Sequence, residues 1–301
     1  MKTIQWRGVF PAVTTKLKAD LSLDLPAIHA SVERLIGAGV AGVVMMGMVG
    51  ENTQLAPEEK LAVLRTAVEA TAGRVPVLSG LAETSTQRAV AYAAEAQKLG
   101  IAGFMVFPGL TYKSDARETV AFYRTVAHAT SLPLLLYNNP RGYGVDLTPD
   151  IVEQLLVEPN IVAIKEESYD VTRVTDLITR FGARLNVVCG VDDLILESAV
   201  LGVTAWVSGM ANAVPHASVE LLELANASNY AEARELYRVL TPLYHLDTEV
   251  KLVQHIKLAE HLIMGTSEAM KPPRLPLIGT ERERTMAITR RTVEGLKALG
   301  F

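Results

Sequence analysis

A chain of 301 residues with 49% hydrophobic composition can bury a sizeable core, and its single cysteine, Cys189, excludes an internal disulfide and a cysteine-rich metal site. The formal net charge is −4 with both signs mixed along the chain, so there is no basic stripe for nucleic acid. The start, Met1-Lys2-Thr3-Ile4-Gln5-Trp6-Arg7, lacks the apolar core of a signal peptide, and no apolar run approaches the roughly 20 residues of a membrane span. A soluble cytoplasmic protein is expected, and the six scattered histidines suggest no metal site.

In chain order, short apolar segments alternate with amphipathic ones. Strand Val9–Thr14 precedes helix Leu25–Ala38; strand Gly42–Gly47 precedes helix Pro57–Ala72; strand Val75–Gly80 precedes helix Ser85–Leu99. Strands Gly103–Phe107, Leu132–Asn138, Ile161–Glu166 and Leu185–Cys189 are followed by helices Ala116–Thr130, Thr148–Leu156, Val171–Phe181 and Asp192–Leu201, and Ala205–Ser208 is the last strand. Helix starts carry Pro and acids, as in Ala56-Pro57-Glu58-Glu59, and ends carry glycine, as at Leu99-Gly100. Eight continuous apolar strands imply a parallel sheet covered on both faces, and eight βα units predict an α/β fold, a (β/α)₈ TIM barrel. A doubly wound sheet is the alternative, but the first turn, Thr14-Thr15-Lys16-Leu17, has no glycine-rich dinucleotide fingerprint. From Val214 the pattern turns helical: Ala217–Ala227, Tyr230–Leu246, Glu249–Ile263 and Glu281–Leu299. The predicted organisation is a catalytic barrel over residues 1–213 and a C-terminal helical domain over residues 214–301.

In such a barrel the active site lies at the C-terminal ends of the strands. Lys165 stands there, directly after the buried run Ile161-Val162-Ala163-Ile164. Burying an ammonium costs several kcal/mol unless it is paired or deprotonated. One reading is an imine-forming amine with a pKa depressed by burial; the other is a lysine paired with Glu166 or Glu167. Adjacent strand residues face opposite ways, which disfavours Glu166 as its partner. Tyr137, one strand earlier, is either a proton shuttle for carbinolamine and imine or an ordinary core tyrosine. Asn138 and Asn139 precede Pro140 and read first as turn formers, then as amide donors to a substrate. Gly47 and Gly50 bracket a turn whose N–H groups could form an anion nest, or whose glycines merely supply positive φ. Ser208-Gly209 closes the last strand, either touching substrate or relieving crowding at the rim.

Together the chain resembles the dihydrodipicolinate synthase / N-acetylneuraminate lyase superfamily of class I aldolases. The resemblance rests on the Gly47–Glu51 turn, Tyr137-Asn138-x-Pro140, Ile164-Lys165-Glu166 and Ser208-x-x-Ala211-Asn212. It implies Lys165 as Schiff-base lysine, Tyr137 as proton shuttle, and Gly47, Met48, Val49 and Gly50 as the carboxylate site. Asn139, Val207 and Ser208 complete the expected substrate contacts, and a homotetramer is implied. No cofactor is implied beyond a covalent imine on Lys165, and no metal. The departures are Met48 and Val49 where the synthase carries two hydroxyl residues, Leu110 where it carries tyrosine, and Gly142 where it carries an aldehyde-binding arginine, with Arg141 one position early. Tyr112 lies near Leu110 without being an obvious replacement.

Other segments are similar to 1-pyrroline-4-hydroxy-2-carboxylate deaminases: Val49-Gly50-Glu51-Asn52, Tyr137-Asn138-Asn139-Pro140, Trp206-Val207-Ser208-Gly209-Met210 and Leu252-Val253-Gln254-x-Ile256-Lys257-Leu258. That resemblance implies opening of a cyclic imino acid on Lys165, loss of water and hydrolytic release of ammonia, a lyase or hydrolase reaction. The expected partner is a small 2-oxo acid or cyclic imino acid. The alternatives are an aldolase or dehydratase for sugar-derived 2-oxo acids, dihydrodipicolinate synthase itself, and a non-catalytic 2-oxo-acid-binding regulator.

Overall fold

Eight parallel strands form the centre of the molecule: β1 (Gly8–Pro11), β2 (Val43–Met45), β3 (Val77–Leu81), β4 (Gly103–Val106), β5 (Leu134–Asn138), β6 (Ile161–Glu166), β7 (Asn186–Cys189) and β8 (Ala205–Ser208). They were traced in a computed structural model that describes residues 4–301. The hydrogen-bonded order is β1-β8-β7-β6-β5-β4-β3-β2. A parallel bridge between Ala12 and Val44, with Val13 N–H donating to the Val44 carbonyl at 2.9 Å, joins the two ends. The fold is a TIM barrel with added C-terminal helices.

The strands are short and buried along almost their whole length, as expected when helices cover the outside and side chains fill the inside. Helices follow each strand: α1 (Leu25–Gly37), α2 (Pro57–Thr71), α3 (Thr86–Ala96), α4 (Ala116–His128), the single turn α5 (Pro140–Tyr143), α6 (Pro149–Leu155), α7 (Thr172–Phe181), α8 (Ile195–Val200) and α9 (Pro215–Asn226). Their starts are encoded locally. The Asp24 side chain accepts from Ala27 N–H, Ser85 accepts from Arg88 N–H, and Asp115 with Glu118 forms a reciprocal capping box.

Helix α9 packs on β1 and α8 on one side and on the following helix, Tyr230–Tyr244, on the other. The sequence division at 213/214 falls just before this helix, which touches both the barrel and the helices that follow. The appendage proper is α10 (Tyr230–Tyr244), α11 (Leu252–Met264) and α12 (Gly279–Ala298), with a 3₁₀ turn, His245–Thr248, between α10 and α11. No helix among the described residues is long and apolar enough to cross a membrane.

The first strand ends at Pro11 rather than at the expected Thr14. The chain leaves the ladder because Thr14 and Lys16 turn their buried side chains to Glu260 of α11. That contact ties the barrel mouth to the appendage.

Candidate active site

Strand β6 places the central lysine. Register pairs Tyr137 with Lys165 and Asn138 with Glu166, so the two strands present their side chains in matched rows. With a side-chain period of two, Lys165 and Glu167 share one direction and Glu166 takes the other. Glu166 turns away to accept from Asn138 Nδ2 at 2.8 Å and from Ser168 N–H at 2.7 Å. Glu167 meets Lys165, its Oε2 2.7 Å from the ammonium nitrogen. The alternation that set Glu166 aside holds, and the acidic partner is the next residue along.

This pairing corrects the expectation of a depressed amine pKa. Burial of Lys165 does push toward the neutral form, but the Glu167 carboxylate and the more distant Asp247 outweigh it, and the pKa is raised. The lysine therefore rests as an ammonium held by Glu167. Its nitrogen also lies 4.3 Å from the centre of the Tyr137 ring. Burial, then the charge of Glu167, holds the Tyr137 phenol well above its ordinary pKa, so it stays protonated. Phe107 and Tyr143 pack edge-on against that ring with centroids 4.7 and 5.6 Å away.

The cavity around Lys165 is lined by Ala12, Gly47, Met48, Val49, Met105, Tyr137, Glu167, Gly209, Asp247 and Leu252. Its free volume is about 20 Å³, room for about one water. Larger openings exist elsewhere, but they lie on the outer surface and none includes Lys165.

The turn after β2 supplies one wall. Neither Gly47 nor Gly50 has positive φ; that strain falls on Met46 (φ 57°) and Glu51 (φ 58°). Gly50 is needed for close approach, since a Cβ there would lie 3.0 Å from Met46 N. Asn52 holds the turn from below through Nδ2 to the Met46 carbonyl at 2.7 Å. Among the described residues, the backbone N–H groups of Met48, Val49 and Gly50 find no hydrogen-bond acceptor. Unpaired N–H groups in a mostly buried turn are the equipment of an anion nest.

Four residues expected at the substrate are occupied elsewhere. Asn139 gives its amide to Glu167 Oε1 at 2.8 Å and to the Tyr137 oxygen at 3.2 Å, while its own oxygen caps Gly142 N–H at 2.7 Å. It positions the acid and the phenol and does not line the cavity. Ser208 donates to Asp192 Oδ2 at 3.0 Å and accepts from Ala211 N–H; Val207 is buried in the ladder opposite Phe10. Gly50 lies behind the turn, its carbonyl accepting from Thr15 Oγ1 at 2.7 Å. Gly209 takes the place at the wall that Ser208 was expected to hold.

The replacement candidates also resolve. Arg141 stacks its guanidinium 4.0 Å from the centre of the Tyr169 ring, and Tyr112 is exposed, donating to Glu118 at 2.8 Å. Neither lines the cavity. Sequence reasoning missed Asp247 altogether, which the 3₁₀ turn of the appendage carries to the cavity wall over Gly209. It passed over Glu167 as a catalytic group although the period of the strand placed it beside Lys165.

Residues 5–292 match the family model of the dihydrodipicolinate synthetase family. The chain belongs to that family. It is 36% identical to the 4-hydroxy-tetrahydrodipicolinate synthase of Methanothrix thermoacetophila over 79% of this chain and 80% of that one. It is 34% identical, over 80% and 82% of the two chains, to Escherichia coli YagE, whose name proposes 2-dehydro-3-deoxy-D-gluconate aldolase activity. Among solved structures, the 4-hydroxy-tetrahydrodipicolinate synthase of Methylacidiphilum fumariolicum superposes with a TM-score of 0.94 at 28% identity, covering 98% of each chain. YagE in complex with pyruvate superposes with a TM-score of 0.88 at 31% identity, covering 96% and 99%. As a member of the dihydrodipicolinate synthetase family the protein is a class I, Schiff-base-forming lyase. The hydrolase classification that ammonia release suggested is set aside.

Proposed function

We propose that Lys165 forms the imine and that the substrate is a small 2-oxo acid or cyclic imino acid, best read as 1-pyrroline-4-hydroxy-2-carboxylate undergoing deamination. The observation that carries this reading is the contact of Lys165 with Glu167 at 2.7 Å inside a cavity shared with Tyr137. Glu167 accepts the ammonium proton, which frees the amine to attack C2, and then stands beside the protonated imine that replaces the ammonium. Tyr137, protonated at rest, donates to the departing nitrogen or hydroxyl at C2 and takes a proton back. The free N–H groups of Met48 and Val49 suit the carboxylate at C1. Apolar Met48, Val49, Met105 and Leu252 leave little to bind a polyhydroxylated chain. With Arg141 stacked on Tyr169 there is no guanidinium at the wall for a second, aldehyde substrate. Substrate entry requires one wall to move, and Met48, half-buried and flexible, moves at least cost.

A second reading, cleavage of a sugar-derived 2-oxo acid, is favoured by the similarity to YagE. Borohydride reduction in the presence of pyruvate, and separately of the hydroxypyrroline carboxylate, tests both. Peptide mapping is expected to find the added mass on Lys165 in each case. Absence of any adduct there sinks every Schiff-base assignment. Ammonia release from the hydroxypyrroline, lost in Lys165→Ala, supports the deaminase; pyruvate release from 2-dehydro-3-deoxygluconate without ammonia release replaces it with the aldolase. The family resemblance also leads us to propose a homotetramer, which sedimentation measures directly.

A further inference from the structure

One ammonium faces three carboxyl groups around the cavity: Glu167, Asp192 and Asp247. Glu167 is the direct partner of Lys165. Asp192 is fully buried behind the wall and is held as an acceptor by Trp206 Nε1 at 2.9 Å, Ser208 Oγ at 3.0 Å and Met210 N–H at 2.8 Å. Three donors on one carboxylate favour its ionised form relative to a neighbour without them. Asp247 is that neighbour. It comes from the appendage, sits over Gly209 and lines the cavity with Lys165, and its turn packs on the Asp192–Leu194 turn, which brings the two carboxyl groups together. No donor to its carboxylate exists among the described residues apart from a proton shared with Asp192.

Two carboxyl groups in contact cannot both ionise cheaply, so the pair keeps one proton, and the donor pattern assigns it to Asp247. The electrostatics agree. Burial, then the charges of Asp192 and Glu167, raise Asp247 far above the ordinary carboxyl range, while Lys165 opposes the shift. Burial raises Asp192 to about 7. The other titratable groups at this spot are Tyr137 on β5, Tyr169 after β6, and the Asp193–His245 pair at 2.6 Å, with His245 opening the turn that carries Asp247.

We infer that Asp247 is a second acid–base residue of this active site, delivering the proton it shares with Asp192 to the group that leaves from C4 of the Lys165-bound substrate. This rests on the proposed imine chemistry and extends it. In the enamine, the nitrogen lone pair re-forms the C2=N bond, the C2=C3 pair becomes C3=C4, and the C4–O bond breaks. Its electrons stay on oxygen, which takes the Asp247 proton and departs as water. Asp247, left as a carboxylate, recovers a proton from C5 as C4=C5 forms, the C3=C4 pair returns to C2=C3 and the C2=N pair returns to nitrogen. Protonation at C4 then gives a C5 iminium, which water hydrolyses with release of ammonia. No oxidant or further reactant is needed. The hydroxyl residues absent at Met48 and Val49 are thereby replaced by an acid that the appendage sets over Gly209.

The test has two readouts. Isotope-edited infrared spectroscopy of the substrate-free protein, with ¹³C-labelled aspartate, is expected to show one protonated carboxyl at neutral pH, absent in Asp247→Asn. If no such band exists, or if it persists in Asp247→Asn, the inference is overturned whatever the substrate. Turnover supplies the second readout. Asp247→Asn is expected to keep borohydride trapping of pyruvate on Lys165 within about 3-fold of wild type and to lose about 100-fold or more in ammonia release, the size of one general-acid contribution. Equal loss of trapping and turnover would show a merely structural residue, and turnover within 3-fold would show an idle one. Asp247→Glu, which keeps the acid, is expected to recover part of the rate. If the wild-type protein leaves the hydroxypyrroline untouched, the substrate assignment fails by itself, and the infrared band still decides the state of the pair.

Discussion

Two clusters of buried charge meet at the barrel mouth, and they are built on opposite plans. The first joins barrel to appendage. Glu260 of α11 accepts from Lys16 at 2.6 Å, Arg34 at 2.8 Å and Thr14 at 2.7 Å, and Lys257 of the same helix pairs with Glu51. Glu51 uses its second oxygen for Lys271 N–H at 2.7 Å, and Lys257 also donates to the Ala269 carbonyl at 2.6 Å. Each anion there has cations or N–H donors on both oxygens. The second cluster, one lysine with three carboxyl groups, has too little positive charge for its acids. A satisfied cluster fixes structure, whereas a frustrated one holds mobile protons.

The largest difference between them is expected in chemistry. Lys165→Ala should abolish borohydride trapping and lower turnover about 10⁴-fold or more, because no other amine lines the cavity. Its fold should survive, since Glu167 keeps the Asn139 amide as a donor and the cavity can admit a water where the ammonium stood. Loss of secondary structure by circular dichroism would show that Lys165 also carries the architecture, and the contrast would fail.

Next comes stability. Lys257→Met strands the fully buried Glu51 and is expected to cost about 3–5 kcal/mol in urea unfolding. Asp247→Asn is expected to leave stability unchanged or raised, because it removes the cost of holding that carboxyl protonated at neutral pH. Equal costs would mean that the two clusters are the same kind of object.

The barrel, the lysine strand, Tyr137 and the Gly47–Gly50 turn were legible because each is written in a short stretch: apolar runs, a misplaced charge, glycines at a strand end. Glu167 was half-legible, since the strand period that dismissed Glu166 pointed to it. Asp247 and the Glu260–Lys16 contact were not legible. They join segments far apart in the chain, and nothing local to His245–Thr248 marks a turn that descends to the cavity. Ser208 misled for the same reason. Its small hydroxyl fitted a substrate contact, but its partner Asp192 was invisible until β7 and β8 lay side by side.

The clusters should also respond to pH with opposite signs. Burial pushes the Glu260 carboxyl up, but Lys16, Thr14 and Arg34 outweigh it, and its pKa lies below the ordinary 4.5. Stability from Glu260 is therefore present above pH 4.5 and lost as pH falls through the folded value. Asp247 is raised, so between its unfolded 3.8 and its folded value the native state binds more protons, and its effect on stability worsens as pH rises by about 1.4 kcal/mol per unit. Urea midpoints of Asp247→Asn and wild type should converge near pH 4 and separate toward pH 8, with the variant higher. Those of Glu260→Gln and wild type should separate at neutral pH, with the variant lower, and converge in acid. Parallel curves for either pair would remove the distinction.

The smallest expected effect tests how the frustrated cluster is held in place. Asn139 spends its one amide group on Glu167 and the Tyr137 oxygen together, so it fixes the angle between the base that frees the lysine and the phenol that follows it. Asn139→Ala removes a hydrogen bond to a charged group and is expected to lower kcat about 10-fold, the worth of one such bond. KM should stay near the wild-type value, because Asn139 does not line the cavity. Asn139→Asp sets a fourth carboxylate against Glu167 and should be worse than alanine, most of all at high pH. A rise in KM with unchanged kcat would instead return Asn139 to the substrate and leave Glu167 oriented by Lys165 alone.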